Sequence, residues 1–421
     1  MKKLTDSVKE NIEKEIKLIS DYLFSWDKIK VNRNSNHIGI LSGLPGVTLA
    51  LLDYLQVEPS TNNSQKKILK EYLQNTFKIL ENSEYITSTY CDGLSGYGFF
   101  LLKLKSHDFI DENDGDLLND IDEILNDIDD ILLEHIEEFY QQDNLDILHG
   151  LVGLGLYFLE REHTLGVDKI TEIIMSKVFR TEEGYVYWRK YDKYDNYKSV
   201  IDLGNAHGMG ANIFFLTKVL SKTPENEEIK EIIDSAIGFF LDNSQEITDE
   251  IYCYYPLKIE ADAYDANSFE PSNSRLGWCY GDLGTLYTLL MASKHIDNKK
   301  YYDIIVDKLA HVATRTYDKE GFIIDAGFCH GTSGIALLFN NVYDITGKDV
   351  FWKTATYWLE QTLIKKDNTQ PEGYVNYGFV IENSDEKNIS ILEGLAGLLV
   401  SYLKFLHPGA TISEELLMIK Y

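Results

Sequence analysis

The segment Glu393-Gly394-Leu395-Ala396-Gly397-Leu398-Leu399-Val400-Ser401-Tyr402-Leu403 decides the fold, because it contains a motif that recurs along the whole chain. A polar residue precedes a glycine, a second glycine or small residue follows three positions later, and an apolar run continues from there. The seven copies are Ser42–Gly46, Asp92–Gly96, His149–Gly153, His207–Ala211, Tyr280–Gly284, His330–Gly334 and Glu393–Gly397. Regular recurrence of this kind predicts a repeat architecture with one supersecondary unit per copy.

The spacing between copies predicts what each unit contains. The first glycines lie 50, 57, 58, 73, 50 and 63 residues apart, which accommodates two helices and a loop. The run after each motif is apolar on all sides and predicts a buried inner helix, whereas Leu117–Ile136 has apolar residues at helical spacing among many acids and predicts an outer helix. Neither end shows a polar capping repeat, which favours a closed ring over an open solenoid. We therefore predict an all-α fold, an α/α toroid with a double ring of seven helical hairpins, as a single domain over residues 1–421.

A small β-containing insertion is also expected. The longest interval between motifs contains Ile251–Pro256 and a turn-rich stretch beyond it, and Tyr185–Trp188 is rich in aromatic residues. These stretches predict short strands or a flap around residues 180–203 and 251–275.

Composition limits the classes of function. The 68 acidic and 40 basic residues give a net charge of -28, which argues against nucleic acid or an anionic membrane as the main partner and favours cationic ligands. The first residues lack the apolar stretch of a signal peptide, so we expect a cytoplasmic protein with at most peripheral membrane contact. Four cysteines in such a chain do not make a disulfide framework, and metal binding becomes the better hypothesis.

The residue before the first glycine is polar in all seven copies, so this position is expected to line a functional rim. One position earlier, three copies have cysteine: Cys91, Cys279 and Cys329. Cys279 and Cys329 lie in consecutive repeats, and His330 follows Cys329 directly. Two thiolates and one imidazole with an open fourth position are typical of a catalytic zinc site, so we predict one zinc ion per chain on these three residues. We interpret Cys91 and Cys253 as packing residues; burial as small apolar side chains is also the alternative for the predicted ligands.

Further candidates lie at the same end of the repeats. His207, Asp146, Arg275 and Tyr280 could act as acid, base and anion stabiliser. Each also has a structural alternative, such as a salt bridge for Arg275 and Asp146 or a core hydrogen bond for His207.

The motifs Asn205-Ala206-His207-Gly208, Arg275–Gly281 and Cys329-His330-Gly331, set on seven glycine-containing repeats, resemble those of the lanthionine synthetase C-like cyclases. The resemblance covers nearly the whole chain. It implies a double ring of helices, one zinc ion and an enzyme that adds peptide cysteines to dehydroalanine or dehydrobutyrine, forming lanthionine or methyllanthionine rings in an antibiotic precursor. By this resemblance the zinc ligands are Cys279, Cys329 and His330, and the other active-site residues are Asp146, His207, Arg275 and Tyr280.

The resemblance also implies the partners. The substrate is a dehydrated precursor peptide, and because the chain has no room for a fused dehydratase, a separate dehydratase and an export transporter are expected, in a peripheral membrane complex. Two alternatives remain: a non-catalytic protein of the same fold that binds glutathione or another thiol, and a different zinc enzyme on a helical ring, such as a prenyl transferase.

Overall fold

Helices make up most of the described part of the chain in a computed structural model, which describes residues 4–58, 63–106, 115–192, 198–265, 269–316, 323, 325–367, 373–374, 387–408 and 412–420. The helices are α1 (Asp6–Leu23), α2 (Trp26–Ile29), α3 (Leu44–Val57), α4 (Asn63–Asn82), α5 (Leu94–Lys105), α6 (Gly115–Gln141), α7 (Leu151–Arg161), α8 (Thr164–Ser176), α9 (Met209–Lys222), α10 (Glu227–Asp242), α11 (Ala261–Asp265), α12 (Asp282–His295), α13 (Lys299–Val312), α14 (Thr332–Thr346), α15 (Asp349–Ile364), α16 (Leu395–Leu406) and α17 (Ile412–Leu416). The strands are β1 (Phe179–Arg180), β2 (Val186–Tyr187), β3 (Lys190–Asp192), β4 (Lys198–Asp202), β5 (Lys258–Glu260), β6 (Lys366–Asp367) and β7 (Gly373–Tyr374).

Each motif forms the start of an inner helix. Helices α3, α5, α7, α9, α12, α14 and α16 all begin at the residue after the first glycine, and that glycine is the N-cap in every case. Their side chains are buried nearly throughout, as the uniformly apolar sequence predicts.

The helices between the motifs are amphipathic. In α6 the buried apolar side chains are Ile121, Leu125, Ile128, Leu132 and Ile136, spaced at three and four residues. Most of the acids of this helix lie on its exposed face. The helix is therefore an outer one with a solvated side, as predicted.

The chain divides into two compact units, and the first comprises Met1–Leu133 and Ile324–Lys420. In this unit α14 packs against α16, α16 against α3, and α3 against α5, so the inner helices of the last and first repeats are neighbours. The N-terminal helix α1 packs against α16, where it supplies an outer helix for the seventh repeat. A hairpin of β6 and β7 belongs to the same unit.

The second unit comprises Glu134–Ile323. Its inner helices α7, α9 and α12 pack in sequence order, each with the outer helix that follows it. Strands β1 and β2 form an antiparallel hairpin, and β3, β4 and β5 form an antiparallel sheet in which Lys190 pairs with Val200 and Asp202 with Lys258.

These strands confirm the predicted small β-containing insertion. Residues 193–197 and 266–268 of the predicted flap lie outside the described residues. The single domain over residues 1–421 stays a prediction. No helix in the described ranges has the length and apolarity needed to cross a bilayer.

Gly281 shows why glycine is required at the start of an inner helix. Its φ is 93°, in the region that residues with a side chain rarely adopt. A Cβ atom placed there would lie 1.8 Å from the carbonyl oxygen of Arg275. The loop before the helix therefore folds back so closely that only a hydrogen atom fits.

We predict that Gly281→Ala lowers the free energy of unfolding by roughly 2–5 kcal/mol, because it adds a backbone clash to an unfavourable φ. Gly347→Ala is the matched control, since Gly347 also has a positive φ, of 66°, but a Cβ atom added there would meet no other atom within 4 Å. This control should cost only about 1–2 kcal/mol. Thermal and denaturant unfolding of both variants measure the difference, and equal losses would show that the close approach is unimportant.

Candidate metal centre and acid–base pair

Backbone hydrogen bonds join the motif loops of neighbouring repeats at the position of the predicted cysteine ligands. In the first unit, Cys329 N–H donates to the Leu392 carbonyl at 2.9 Å, Leu392 N–H to Leu41 at 3.2 Å, and Leu41 N–H to Cys91 at 3.2 Å. In the second unit, Ala206 N–H donates to the Cys279 carbonyl at 3.1 Å. The cysteines are thus held by main-chain bonds as well as by packing.

The polar residue that follows this position is accessible in every repeat. Among Ser42, Asp92, His149, His207, Tyr280, His330 and Glu393, two are exposed and the other five half-buried. By contrast, the preceding residue is buried in six of the seven repeats. In most repeats the motif therefore buries one side chain and leaves the next one partly exposed.

Cys279, Cys329 and His330 form a group that could hold a metal ion. One ligand atom from each lies within 4.8 Å of the other two. The two cysteines are buried, with 4% and 7% of their surface exposed, and His330 is half-buried. Two sulfur ligands and one imidazole suit zinc better than the oxygen-preferring magnesium or calcium ions.

Asp325 lies next to His330, one of the three residues of this group. Its Oδ2 atom lies 3.1 Å from Nε2 of His330, and its Oδ1 atom accepts a hydrogen bond from Gly327 N–H at 2.7 Å. A carboxylate beside the second nitrogen of a histidine ligand is the usual arrangement in metal sites, because it fixes the ring and its tautomer.

A second group of potential ligands consists of Cys91, Asp92 and His149. Both Asp92 and His149 are exposed. Cys91 is buried, as its interpretation as a packing residue requires, but its neighbours give it a ligand set that the sequence did not indicate. Cys253 is buried and bonded through sulfur to its surroundings: it accepts from Ser274 N–H at 3.2 Å and donates to the Tyr255 carbonyl at 3.4 Å.

His207 and Asp146 form a close pair. Nδ1 of His207 lies 2.6 Å from Oδ2 of Asp146. The other carboxylate oxygen of Asp146 accepts hydrogen bonds from the backbone N–H groups of Leu148 at 2.7 Å and His149 at 2.9 Å. Asp146 is therefore fixed by its own loop, and it directs Nε2 of His207 away from the pair.

Burial and pairing shift the pKa of His207 in opposite directions, and the same is true of the pKa of Asp146. Burial alone would lower the pKa of His207, but the hydrogen bond and the negative charge of Asp146 outweigh it, and the net pKa is raised. Burial alone would raise the pKa of Asp146, but the hydrogen bond and charge of His207, with smaller contributions from His149, lower it. The arrangement favours an imidazolium next to a carboxylate.

Tyr280 lies beside this pair. Its ring centroid is 5.6 Å from that of His207, and its hydroxyl donates a hydrogen bond to Oδ2 of Asp202 at 3.0 Å. Burial, followed by the negative charge of Asp202, raises the pKa of Tyr280. The ring of His149 stacks on His207 with centroids 6.4 Å apart. His207 thus contacts two aromatic rings.

Arg275 is not brought into this network by any contact seen in the described ranges. The buried arginine near its loop is Arg315, which pairs with Asp282 at 3.1 Å and donates to the Ser274 carbonyl at 2.8 Å. Arg315 thus stabilises the loop that contains Arg275. Arg275 itself is half-buried.

Three residues of the site were not predicted from the sequence: Lys190, Asp202 and Asp325. A signal for both aspartates was present, since each stands six residues before the first glycine of its repeat. Lys190 had no such signal, because it comes from the inserted strand β3 and not from a repeat.

Known proteins resemble this chain over nearly its full length. The family described as Lanthionine synthetase C-like protein matches residues 35–418. The Nisin biosynthesis protein NisC of Lactococcus lactis subsp. lactis is 24% identical over 422 aligned residues, covering 94% of this chain and 92% of the relative. A solved structure titled Nisin cyclase superposes with a TM-score of 0.73 at 20% identity, covering 99% of this chain and 98% of that one. The structural similarity confirms the predicted α/α toroid fold.

We predict that Asp146→Asn lowers the pKa of His207, because it removes the charge and the acceptor that raise it. NMR titration of the protein with ¹³C-labelled histidine measures this, with the remaining histidines as internal references. In the wild type the ion pair should stabilise the fold fully between about pH 4 and pH 6.5. That stability is lost as pH rises through the raised pKa of His207 and as it falls through the lowered pKa of Asp146. An unchanged His207 titration would contradict the pairing.

Proposed function

Because this chain belongs to the lanthionine synthetase C-like family, we propose that it is a zinc-dependent cyclase that forms lanthionine and methyllanthionine rings in a lantibiotic precursor peptide. The observation that carries the proposal is the group of two cysteine sulfurs and one histidine nitrogen within 4.8 Å of one another. The relative named for nisin biosynthesis supports the same class of product.

The substrate in this proposal is a precursor peptide with cysteines and with dehydroalanine or dehydrobutyrine residues. A separate dehydratase would prepare it and a transporter would export the product, in a complex at the membrane surface. The net charge of -28 suits a cationic peptide and disfavours nucleic acid.

Cys279, Cys329 and His330 would hold one zinc ion. The three side chains suit zinc, because both cysteines are buried and Asp325 lies beside the ring of His330. Zinc bound there would lower the pKa of an incoming cysteine thiol and keep it as a reactive thiolate. Inner helices α12 and α14 begin within three residues of these ligands, so their positive N-terminal ends also favour thiolates.

The reaction adds a thiol across a carbon–carbon double bond. The peptide thiol loses its proton to solvent, its sulfur bonds to the β-carbon of the dehydro residue, and the electrons of the double bond move toward the adjacent carbonyl as an enolate. A proton delivered to the α-carbon completes the ring. Nothing is oxidised or reduced, so the residues need only to position the peptide and to supply that proton.

His207 is the candidate acid. Asp146 raises its pKa, which favours the protonated ring, and its 28% exposed side chain allows it to regain a proton from solvent. Tyr280 is the weaker candidate, because its single hydroxyl proton is already donated to Asp202. We assign Asp146 to orient and charge-tune His207, and Tyr280 and Arg275 to position the peptide or to stabilise the enolate.

A non-catalytic member of the same fold, which binds glutathione or another thiol at the zinc, is the alternative. It would require the metal group but no acid. The His207–Asp146 pair therefore favours an enzyme. The two functions separate when the protein is incubated with a synthetic peptide that has one dehydroalanine and one cysteine, because only ring formation removes the thiol from alkylation.

We predict about one zinc per chain in the purified protein, and its loss from Cys279→Ala and from Cys329→Ala. Elemental analysis after dialysis measures the metal. Cys253→Ala and Cys91→Ala are the matched controls and should keep zinc and activity. Zinc retained in either ligand variant would refute the assignment, and zinc lost from Cys91→Ala would move the metal to the group with Asp92 and His149.

We also predict that His207→Ala folds and keeps zinc but forms rings about 10²–10⁴-fold more slowly, the usual span for a general acid. Asp146→Asn should reduce the rate less, because an orienting carboxylate tunes the histidine without replacing it. Alkylation of the remaining thiol followed by mass spectrometry gives the rate, with circular dichroism and zinc content alongside. His295→Ala, an exposed histidine at the end of α12, is the control. Normal activity of His207→Ala would remove His207 from the mechanism.

A further inference from the structure

The position six residues before the first glycine has a structural role that several repeats share. Four repeats have Asn or Asp there, and in each the Oδ1 atom accepts the backbone N–H two residues later, at 2.7–3.2 Å. These residues are Asn144, Asp202, Asp325 and Asn388. Because Asn144 and Asn388 make this bond with a neutral amide, the turn itself does not require a carboxylate.

The two repeats with a carboxylate use its second oxygen for another purpose. In the sixth repeat, Oδ2 of Asp325 lies 3.1 Å from the ring of His330. In the fourth repeat, Oδ2 of Asp202 accepts the Tyr280 hydroxyl at 3.0 Å. A negative charge thus occurs at this position where a side chain of the site has to be oriented.

Lys190 completes the arrangement around Asp202. Its ammonium lies 2.5 Å from Oδ2 of Asp202, and it donates a hydrogen bond to the backbone carbonyl of His207 at 2.7 Å. Asp202 is 4% exposed and the side chain of Lys190 30%. A buried carboxylate is costly unless it is paired, so Lys190 is what allows a charged acceptor to face Tyr280.

We propose that Lys190 and Asp202 are positioning residues of the site: Asp202 fixes the hydroxyl of Tyr280, and Lys190 holds Asp202 and the backbone of His207 together. Both residues lie on the inserted strands, Lys190 on β3 and Asp202 at the end of β4. The insertion therefore sets the orientation of two side chains of the site. The proposal rests on the proposed function for the roles of His207 and Tyr280.

The purely structural alternative is that the pair only anchors the strands. The same sheet offers a comparison, since Lys258 of β5 pairs with Asp192 of β3. No contact between this second pair and His207 or Tyr280 is seen in the described part of the chain. Lys258→Met and Asp192→Asn are therefore matched controls that remove a lysine–aspartate pair from the same sheet. They perturb the same strands, since Lys258 is the strand partner of Asp202, but they keep the side chains of Lys190 and Asp202.

The first measurement is the titration of His207 by NMR in Lys190→Met and Asp202→Asn. The charged and titratable groups that face His207 are Asp146, His149, Tyr280, Lys190 and Asp202. Loss of the Lys190 charge should raise the pKa of His207, and loss of the Asp202 charge should lower it. Asn at 202 keeps the turn, as Asn144 and Asn388 show, so this variant should fold and keep zinc.

The second measurement is ring formation by the single variants and by Lys190→Met/Asp202→Asn. Each single variant should be slower by roughly 10–10²-fold, the scale of a small misplacement of catalytic groups. In the double variant the two charges are removed together, so the His207 titration should return close to that of the wild type. The rate should nevertheless stay low, because Tyr280 still lacks its acceptor. This combination distinguishes positioning from a simple electrostatic effect.

The proposal is overturned if both single variants titrate and react like Lys258→Met and Asp192→Asn. It is also overturned if the double variant regains full activity, since charge balance alone would then be sufficient. If Asp202→Asn does not fold, Lys190→Met decides, because it removes no bond from the turn. A wild-type protein that forms no rings at all would refute the proposed function, but the opposite shifts of the His207 pKa would still test the contacts of Lys190 and Asp202.

Discussion

The close approach of backbone to backbone at the first glycine of each motif is the constraint on which the rest of the structure depends. At Gly208 a Cβ atom would lie 2.2 Å from the carbonyl oxygen of Asp202, and at Gly281 it would lie 1.8 Å from that of Arg275. Such loops close only if glycine follows the polar residue. Once a loop has closed, the inner helix starts at a fixed point, and the two residues before the glycine acquire fixed directions. Repetition of one loop therefore places seven pairs of side chains at equivalent positions, and the first side chain of the pair is buried in six of them.

The site is built by varying those positions while the loop stays the same. The position before the polar residue holds leucine, alanine or cysteine, and two of its three cysteines are the proposed sulfur ligands. The accessible position holds histidine or tyrosine where the proposed chemistry occurs. In four repeats a third position, six residues before the glycine, holds asparagine or aspartate whose Oδ1 atom accepts a backbone N–H of the turn, and the second oxygen of Asp202 also accepts the Tyr280 hydroxyl. A repeat protein thereby obtains an asymmetric site from nearly identical units.

Charge pairing explains how buried ionic groups persist in the site. Asp146 is compensated by His207, Asp202 by Lys190, and Asp282 by Arg315. Each carboxylate also accepts backbone N–H bonds, which reduces the cost of removing it from water. The pairs are not interchangeable. Asp282 and Arg315 are almost wholly buried and brace a loop, whereas Asp146 and Asp202 orient side chains that remain partly accessible. Burial thus separates the ion pairs with a structural role from those next to the proposed chemistry.

The sequence by itself determined the helical repeats, the starts of the inner helices and the family, because a glycine motif, apolar runs and helical periodicity are local properties that recur in register. It also selected Cys279, Cys329 and His330, since their shared position in consecutive repeats is visible without coordinates. Only the tertiary structure showed that Asp202 accepts the Tyr280 hydroxyl and that Lys190 contacts Asp202 and the backbone of His207. It also placed Asp325 beside His330 and showed that Arg315, and not Arg275, forms the buried ion pair with Asp282. These contacts join residues from inserted strands and from different repeats. Their partners are selected by distance in the folded chain, and no spacing along the sequence encodes that distance.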